Sequence, residues 1–177
     1  MTSEEKLLRQ ARAYDEDALG ELYDRYAPHI YAYIYRRVED AATAEDLTGE
    51  VFLRMLQAIR GDKLWRTSFR GWLYRIAHNL VVDHYRRRPP APMVPLDERL
   101  TAGEGNPAQE VAGHFSRRRL RAAIRRLTEG QQEVLALRFG EQLTSREVAE
   151  MMDKSISAVE GLQHRALVAL RRILERE

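Results

Sequence analysis

No cysteine occurs in the 177 residues, which removes disulfides, thiolate metal sites and cysteine nucleophiles from the chemistry open to this chain. Nowhere do about eighteen apolar residues follow one another, the length a membrane-spanning helix needs. The start, MTSEEKLLRQ, lacks the basic-then-apolar order of an export signal. A soluble, cytoplasmic protein without membrane insertion is therefore expected. Alternating runs of β-branched residues are missing too, which argues against sheet. Proline is scarce, six in all, and five of the six fall between residues 89 and 107.

What remains is dominated by aliphatic, Ala-, Glu- and Arg-rich segments, which predicts an all-α protein. The length suits one medium domain or two small ones. Net charge is only +2, but it is unevenly spread. Residues 1–88 carry 15 Lys and Arg against 14 Asp and Glu, residues 89–113 carry 1 against 4, and residues 114–177 carry 13 against 9. The middle is acidic and the end is basic.

The stretch FRGWLYRIAHNLVVDHYRRR, residues 69–88, organises the first half. Phe69, Trp72, Leu73, Ile76, Ala77, Leu80, Val81 and His84 recur at the spacing of one helix face, which predicts the side that packs. Tyr74, Arg75, His78, Asn79, Tyr85 and Arg86 fall on the other side, before Pro89 and Pro90 end the helix. A core helix with a solvated basic back accounts for the arginines alone. The mixture of guanidinium groups, an amide and rings is also how proteins hold unpaired bases.

Upstream, Asp15 to Arg37 has apolar residues at helical spacing, with Asp15 as N-cap and Pro28 as a break or kink. Thr43 and Asp46 resemble a capping box opening a helix with a stripe of Leu47, Val51, Phe52, Met55, Leu56 and Ile59. The loop GDKLWRTS follows. Its Trp65 is read either as a lid on the core or as a contact surface. Residues 89–113, with their prolines and no sustained period, predict a flexible linker between domains at 1–88 and 114–177.

The last third predicts four helices. The first, from Phe115 to Leu127, is followed by capping boxes at Thr128 with Gln131 and at Thr144 with Glu147, and by a Ser155 cap on the last. A short helix, a turn at Asp153 and Lys154, and a longer amphipathic helix make a helix-turn-helix pattern, in which the second helix enters the major groove. The outer face of that helix would carry Ser157, Glu160, Gly161, His164 and Arg165, with Arg171 and Arg172 further along for backbone contact. A helical hairpin used only for packing is the alternative.

The strings AEDLTGEVFLRM, FRGWLYRIAHNLVVDHYRRR and LTSREVAEMMDKSISAVEGLQHRALVALRRIL together resemble regions 2.2, 2.3 to 2.4 and 4.2 of the extracytoplasmic-function group of bacterial RNA polymerase sigma factors. That resemblance implies two helical domains, promoter recognition and melting, and no catalytic residue, cofactor or metal. It implies that the helix after Thr43 docks on the clamp coiled coil of the polymerase β′ subunit through Asp46, Leu47, Glu50, Val51 and Arg54. Single-stranded −10 DNA would meet Trp65, Arg70, Tyr74, Arg75, His78, Asn79 and Arg86, with Asn79 helping to hold a flipped base. Duplex −35 DNA would meet Lys154, Ser157, Glu160, Gly161, His164, Arg165 and Arg171, and the second domain would touch the flap of the β subunit. A monomer is expected when free, and an anti-sigma factor is left open as a further partner.

Two other classes compete. A self-sufficient helix-turn-helix repressor or activator would use residues 114–177 and leave the Phe69 helix without a role. A nuclease built on His78, Asp83 and His84 is disfavoured because the two histidines are six apart, off the i, i+4 spacing that places ligands on one helix face.

Overall fold

In a computed structural model, the chain divides into two compact units, Met1–Ala91 and Pro92–Glu177. Residues 1–87 and 117–176 are described; the predicted linker, Arg88 and Phe115 lie outside them. Every regular element among the described residues is helical.

Unit 1 begins with a helix that the sequence analysis did not single out, α1, Ser3–Arg12. A full capping box starts it: the Glu5 amide donates to the Thr2 hydroxyl at 3.1 Å and the Thr2 amide to the Glu5 carboxylate at 2.7 Å. Tyr14, at φ 63°, turns the chain out of it. Asp15 then caps α2, Glu16–Val38, as predicted, accepting from the Ala18 amide at 2.8 Å. Pro28 does not interrupt this helix. Asp24 and Pro28 are both exposed, so the carbonyl left without a helical donor lies on the water-facing side.

The third helix, α3, spans Ala41–Arg60 and starts earlier than predicted. Asp40 is its cap: the carboxylate accepts from both the amide and the hydroxyl of Thr43, at 3.0 and 2.5 Å. Thr43 is therefore already inside the helix, and the predicted Thr43–Asp46 box gives way to this stronger charged cap. Ser68 caps α4, Phe69–Arg86, with its hydroxyl 3.1 Å from the Gly71 amide.

Helix α2 packs on both α3 and α4, which also pack on each other, and α1 lies on α2. The shared core includes Leu22, Ile30, Tyr33, Ile34, Val51, Met55, Leu73, Tyr74 and Ala77. One residue in it was predicted on the other face, and a second was not singled out. Tyr74 is only 2 % exposed, turned inward so that its ring meets the Tyr33 ring edge-to-face at 5.2 Å. Arg37, also 2 % exposed, lays its guanidinium 3.5 Å from the Tyr33 ring centre and donates to the Tyr33 carbonyl at 2.9 Å.

Unit 2 starts with α5, Arg117–Arg125, and α6, Glu129–Leu135. The predicted Thr128–Gln131 box is present in both directions. Helix α6 widens into a π-helical turn, Ala136–Gly140, before Thr144 caps α7, Ser145–Met152. The Thr144 cap is present, but Glu147 accepts from the Thr144 hydroxyl rather than closing a full box. Asp153 at φ 55° makes the turn, the Ser155 hydroxyl accepts from the Ala158 amide, and α8 runs Ile156–Arg176. Val159, Ala166, Leu170 and Leu174 bury one side of α8, which packs on α5, α6 and α7.

Candidate nucleic-acid and polymerase interfaces

Helix α4 exposes Asn79 and Arg86 to solvent, with Arg70, Arg75 and His78 partly exposed. These five candidates share one helix but differ in freedom. His78 is oriented by the Tyr33 hydroxyl, 3.4 Å from its Nδ1. Tyr74, the sixth candidate on this helix, is withdrawn into the core and offers no ring for a base to stack on. Position 74 lies on the edge between the faces, where packing against α2 outweighs the hydroxyl's preference for water.

At its far end α4 is tied to α2 by the Tyr85 hydroxyl, which donates to the Arg37 carbonyl. Burial, then the nearby Glu39 carboxylate, pushes the Tyr85 hydroxyl above its ordinary pKa. The acceptor is the backbone of Arg37, whose buried side chain folds back on Tyr33 of the same helix. Sequence reasoning missed it because an arginine beside another arginine reads as surface.

The loop between α3 and α4 carries Trp65 in a half-buried position. Its ring meets Phe69 edge-to-face at 4.9 Å and Trp72 at 5.6 Å, while the Arg12 guanidinium sits 4.4 Å from its centre. This packing is that of a lid on the core, with part of the ring left exposed.

Helices α3 and α4 enclose an open groove of about 490 Å³ lined by Asp46, Leu47, Glu50 and Arg54 from one side and Leu80, Asp83, His84 and Arg87 from the other. Four of the five polymerase candidates meet there. Val51 does not: it is fully buried, because the inward stripe of α3 runs through Ala44, Thr48, Val51 and Met55 and leaves Leu47 at its border. Arg54 reaches back to Glu50 at 3.4 Å, a partly exposed pair whose main effect is to order the groove's rim.

In unit 2, α7 and α8 form the expected helix-turn-helix. Lys154, Ser157, Glu160, His164, Arg165 and Arg171 are exposed and Gly161 is half-buried. From Ser157 to Arg165 these positions fall within an arc of about 140°, and Arg171 returns to the same arc roughly 21 Å along the axis from Ser157. The arc faces away from Val159 and Ala166. Arg138, from the π turn, holds the helix from behind through the Gln163 side chain at 2.8 Å, and is itself braced on the Leu143 carbonyl at 2.5 Å. Arg165 folds over Gly161: a Cβ added there would stand 3.2 Å from its guanidinium.

Family models match both units: Sigma-70 region 2 over residues 22–89 and Sigma-70, region 4 over residues 123–172. The chain belongs to the sigma-70 family. It is 42 % identical over 171 residues to the ECF RNA polymerase sigma factor BldN of Streptomyces coelicolor, covering 96 % of this chain but 65 % of that relative's length. It is 31 % identical over 159 residues to the RNA polymerase sigma factor YlaC of Bacillus subtilis, covering 88 % of this chain and 91 % of the relative. Among solved structures, CnrH in complex with the cytosolic domain of CnrY shares the fold at a TM-score of 0.57 and 24 % identity, covering 97 % of this chain and 96 % of that one. The region 2 match ends just beyond α4 and begins within α2, leaving α1 outside it.

Proposed function

We infer that this chain is an alternative sigma factor that binds core RNA polymerase, recognises a two-element promoter and helps open it. The carrying observation is that both family regions occur on one chain, each with an exposed polar helix face. We divide the chain at 1–88 and 114–177, with 89–113 as tether.

The division of labour follows from chemistry. The groove between α3 and α4, with Asp46, Glu50 and Arg54 around Leu47, suits a helical partner carrying both charge and an apolar ridge, and we assign it to the β′ clamp coiled coil. Opening a promoter breaks no covalent bond; it requires binding energy for unpaired bases that exceeds the stacking lost. Asn79 is the exposed amide in the middle of α4, with Arg75 and Arg86 available to phosphates on the same helix. We assign these, with the loop at 61–68, to the non-template strand of the −10 element. The outer arc of α8 reads the −35 duplex, and unit 2 also meets the β flap. Two modest DNA modules joined by a tether gain affinity once both are fixed on one polymerase.

A repressor would need unit 2 alone and leaves the region 2 match without a purpose. Transcription from a genomic template by core polymerase plus this chain decides between them: new start sites sharing two spaced elements are expected, whereas duplex binding without polymerase and no new start sites would indicate a repressor. Within that assay, Asn79→Ala is expected to slow opening more than closed-complex formation, and a premelted bubble should restore it only in part. Full activity of the variant on linear duplex would remove Asn79 from the site.

A further inference from the structure

Helix α1 lies outside the matched region, yet its contacts converge on the loop between α3 and α4. At its start the Tyr26 hydroxyl donates to Glu4, and the Tyr26 ring in turn meets Phe69, the first residue of α4, edge-to-face at 5.3 Å. Just past its end, Tyr14 receives the Arg60 guanidinium 4.7 Å from its ring centre. Arg60 is the last residue before the loop. Between these anchors, Arg12 covers the Trp65 ring at 4.4 Å. The two cation–ring pairs cross the same seam in opposite senses: one arginine goes from α1 to the loop's ring, the other from α3 to the ring behind α1. The loop is gripped where it begins and at its middle.

We propose that Arg12 is a positioning residue for promoter selectivity: by holding Trp65 against Phe69 and Trp72, it sets the conformation in which the loop at 61–68 meets the unpaired −10 strand. This rests on the assignment of that loop to the −10 element. Arg12 need not touch DNA to act. The indole is packed on one side by Phe69 and Trp72 and covered by the guanidinium, so removing the cation uncovers the ring and frees the loop's centre while Tyr26–Glu4 and Tyr14–Arg60 keep α1 docked. An exposed cation–π contact adds little to global stability. Its loss is therefore felt in where the loop sits rather than in whether the unit folds.

The test uses the full chain in holoenzyme, with Arg12→Ala, Arg12→Lys and Trp65→Ala. In the free protein, acrylamide quenching is read in a Trp72→Phe background, which leaves Trp65 as the sole tryptophan; Arg12→Ala should raise it and Arg12→Lys should restore part of the protection. Transcription from a promoter library randomised over the −10 element should show discrimination between best and median sequences reduced about two- to five-fold in Arg12→Ala, the size of one exposed cation–π contact. Core-polymerase binding should be unchanged, and Arg12→Lys intermediate. If Arg12→Ala keeps the wild-type preference while Trp65→Ala flattens it, the positioning role is wrong and the loop assignment stands. Should Trp65→Ala also keep the preference, the loop assignment falls and takes this inference with it. A uniform loss over all −10 sequences in Arg12→Ala would reduce Arg12 to a structural residue and overturn the proposal.

Discussion

The two units are built from different materials. All eight tyrosines and both tryptophans stand in residues 1–87, whereas the described part of unit 2 contains one aromatic residue of the Phe, Tyr and Trp set, Phe139. In unit 1 the rings carry polar ends that reach across helices: Tyr26 to Glu4, Tyr85 to the Arg37 carbonyl, Tyr33 to His78. Each joins an apolar contact to a directional bond, so packing and orientation are fixed together. Unit 2 has a core of Leu, Val, Ile, Ala and Met, and its helix ends are set by Thr128, Thr144 and Ser155 and by left-handed Gln142 and Asp153, as those of unit 1 are by Thr2, Asp15, Asp40 and Ser68. Both units are fixed at their corners, but unit 1 adds directional bonds from tyrosine rings within its core, where unit 2 uses arginines such as Arg138 on Gln163.

The largest effect that should separate them comes from the core. Leu73→Ala, at a fully buried position of α4, removes methyl groups that α2 and α3 surround, and should cost about 2 to 5 kcal/mol depending on how far the site collapses. Both tryptophans report on unit 1, so a fluorescence-monitored urea transition should move to lower denaturant. Amide exchange in α6 and α8 should stay at the wild-type rate. Matching loss of protection in α8 would mean the units unfold as one and the contrast has no energetic content.

This contrast also explains what could be read from the sequence. Caps are local: Thr128 with Gln131, Thr144, Ser155 and Asp15 were legible because the cap and the amide it serves lie within three residues. The Thr2–Glu5 box was equally legible by that rule. Faces were read less well in unit 1. Tyr74 was placed outward and is buried, since a residue at the border of a helical stripe is assigned by its partner helix, which lies far away in sequence; Val51 was read in the apolar stripe of α3, and its burial there takes it out of the contact surface that the resemblance implied. Arg37 was illegible for a different reason: the Tyr33 ring and carbonyl that help to make its burial tolerable lie one turn away on the same helix, but an arginine next to another arginine reads as surface until the packing of that turn is seen. The outer arc of α8 was read correctly as solvent-facing, as its inward stripe of Val159, Ala166 and Leu170 is apolar without ambiguity.

Tyr26 gives the next effect. Burial first, then the hydrogen bond to Glu4, hold its hydroxyl proton well above the ordinary tyrosine range. With the folded pKa raised above the unfolded value of about 10, this contribution is complete below pH 10 and drains away as pH rises from there toward the folded value. Unit 1 should therefore lose stability in alkali by a route that the described part of unit 2, which has no tyrosine, lacks. Tyr26→Phe should cost unit 1 the lower end of about 1.5 to 3 kcal/mol at neutral pH, since Glu4 can return to water, and should flatten its decline above pH 10. An unchanged alkaline slope in Tyr26→Phe would assign the decline to Tyr85 or another group.

A specificity measurement sharpens the contrast from the side of unit 2. Glu160 is exposed on the outer arc of α8, where a carboxylate repels phosphate but accepts from a cytosine amino group in the major groove. Glu160→Ala should flatten preference at one −35 position, worth roughly 1 to 3 kcal/mol of discrimination. Arg171→Ala, at a residue 82 % exposed and loosely paired with Glu175 at 3.8 Å, should weaken all sequences alike. Sequencing transcripts from a −35-randomised pool reads both; an unchanged base preference in Glu160→Ala assigns that carboxylate to the solvent.

The smallest effect concerns Gly161, where helix stability and readout pull in opposite directions. A glycine inside a helix costs about 1 kcal/mol relative to alanine, and Gly161 sits in the second turn of α8. Gly161→Ala should therefore stabilise unit 2 by up to about 1 kcal/mol, seen as slower amide exchange in α8. The added Cβ would stand 3.2 Å from the Arg165 guanidinium, which is the end of a flexible side chain and can move aside. If Arg165 reads the −35 element from its place over Gly161, the stabilised variant should transcribe −35-dependent promoters less well, and Arg165→Ala should abolish the difference between Gly and Ala at 161. Stabilisation with unchanged −35 preference would show that the glycine's tolerance of Arg165 is incidental, and that unit 2, set at its corners, can be stiffened without being misread.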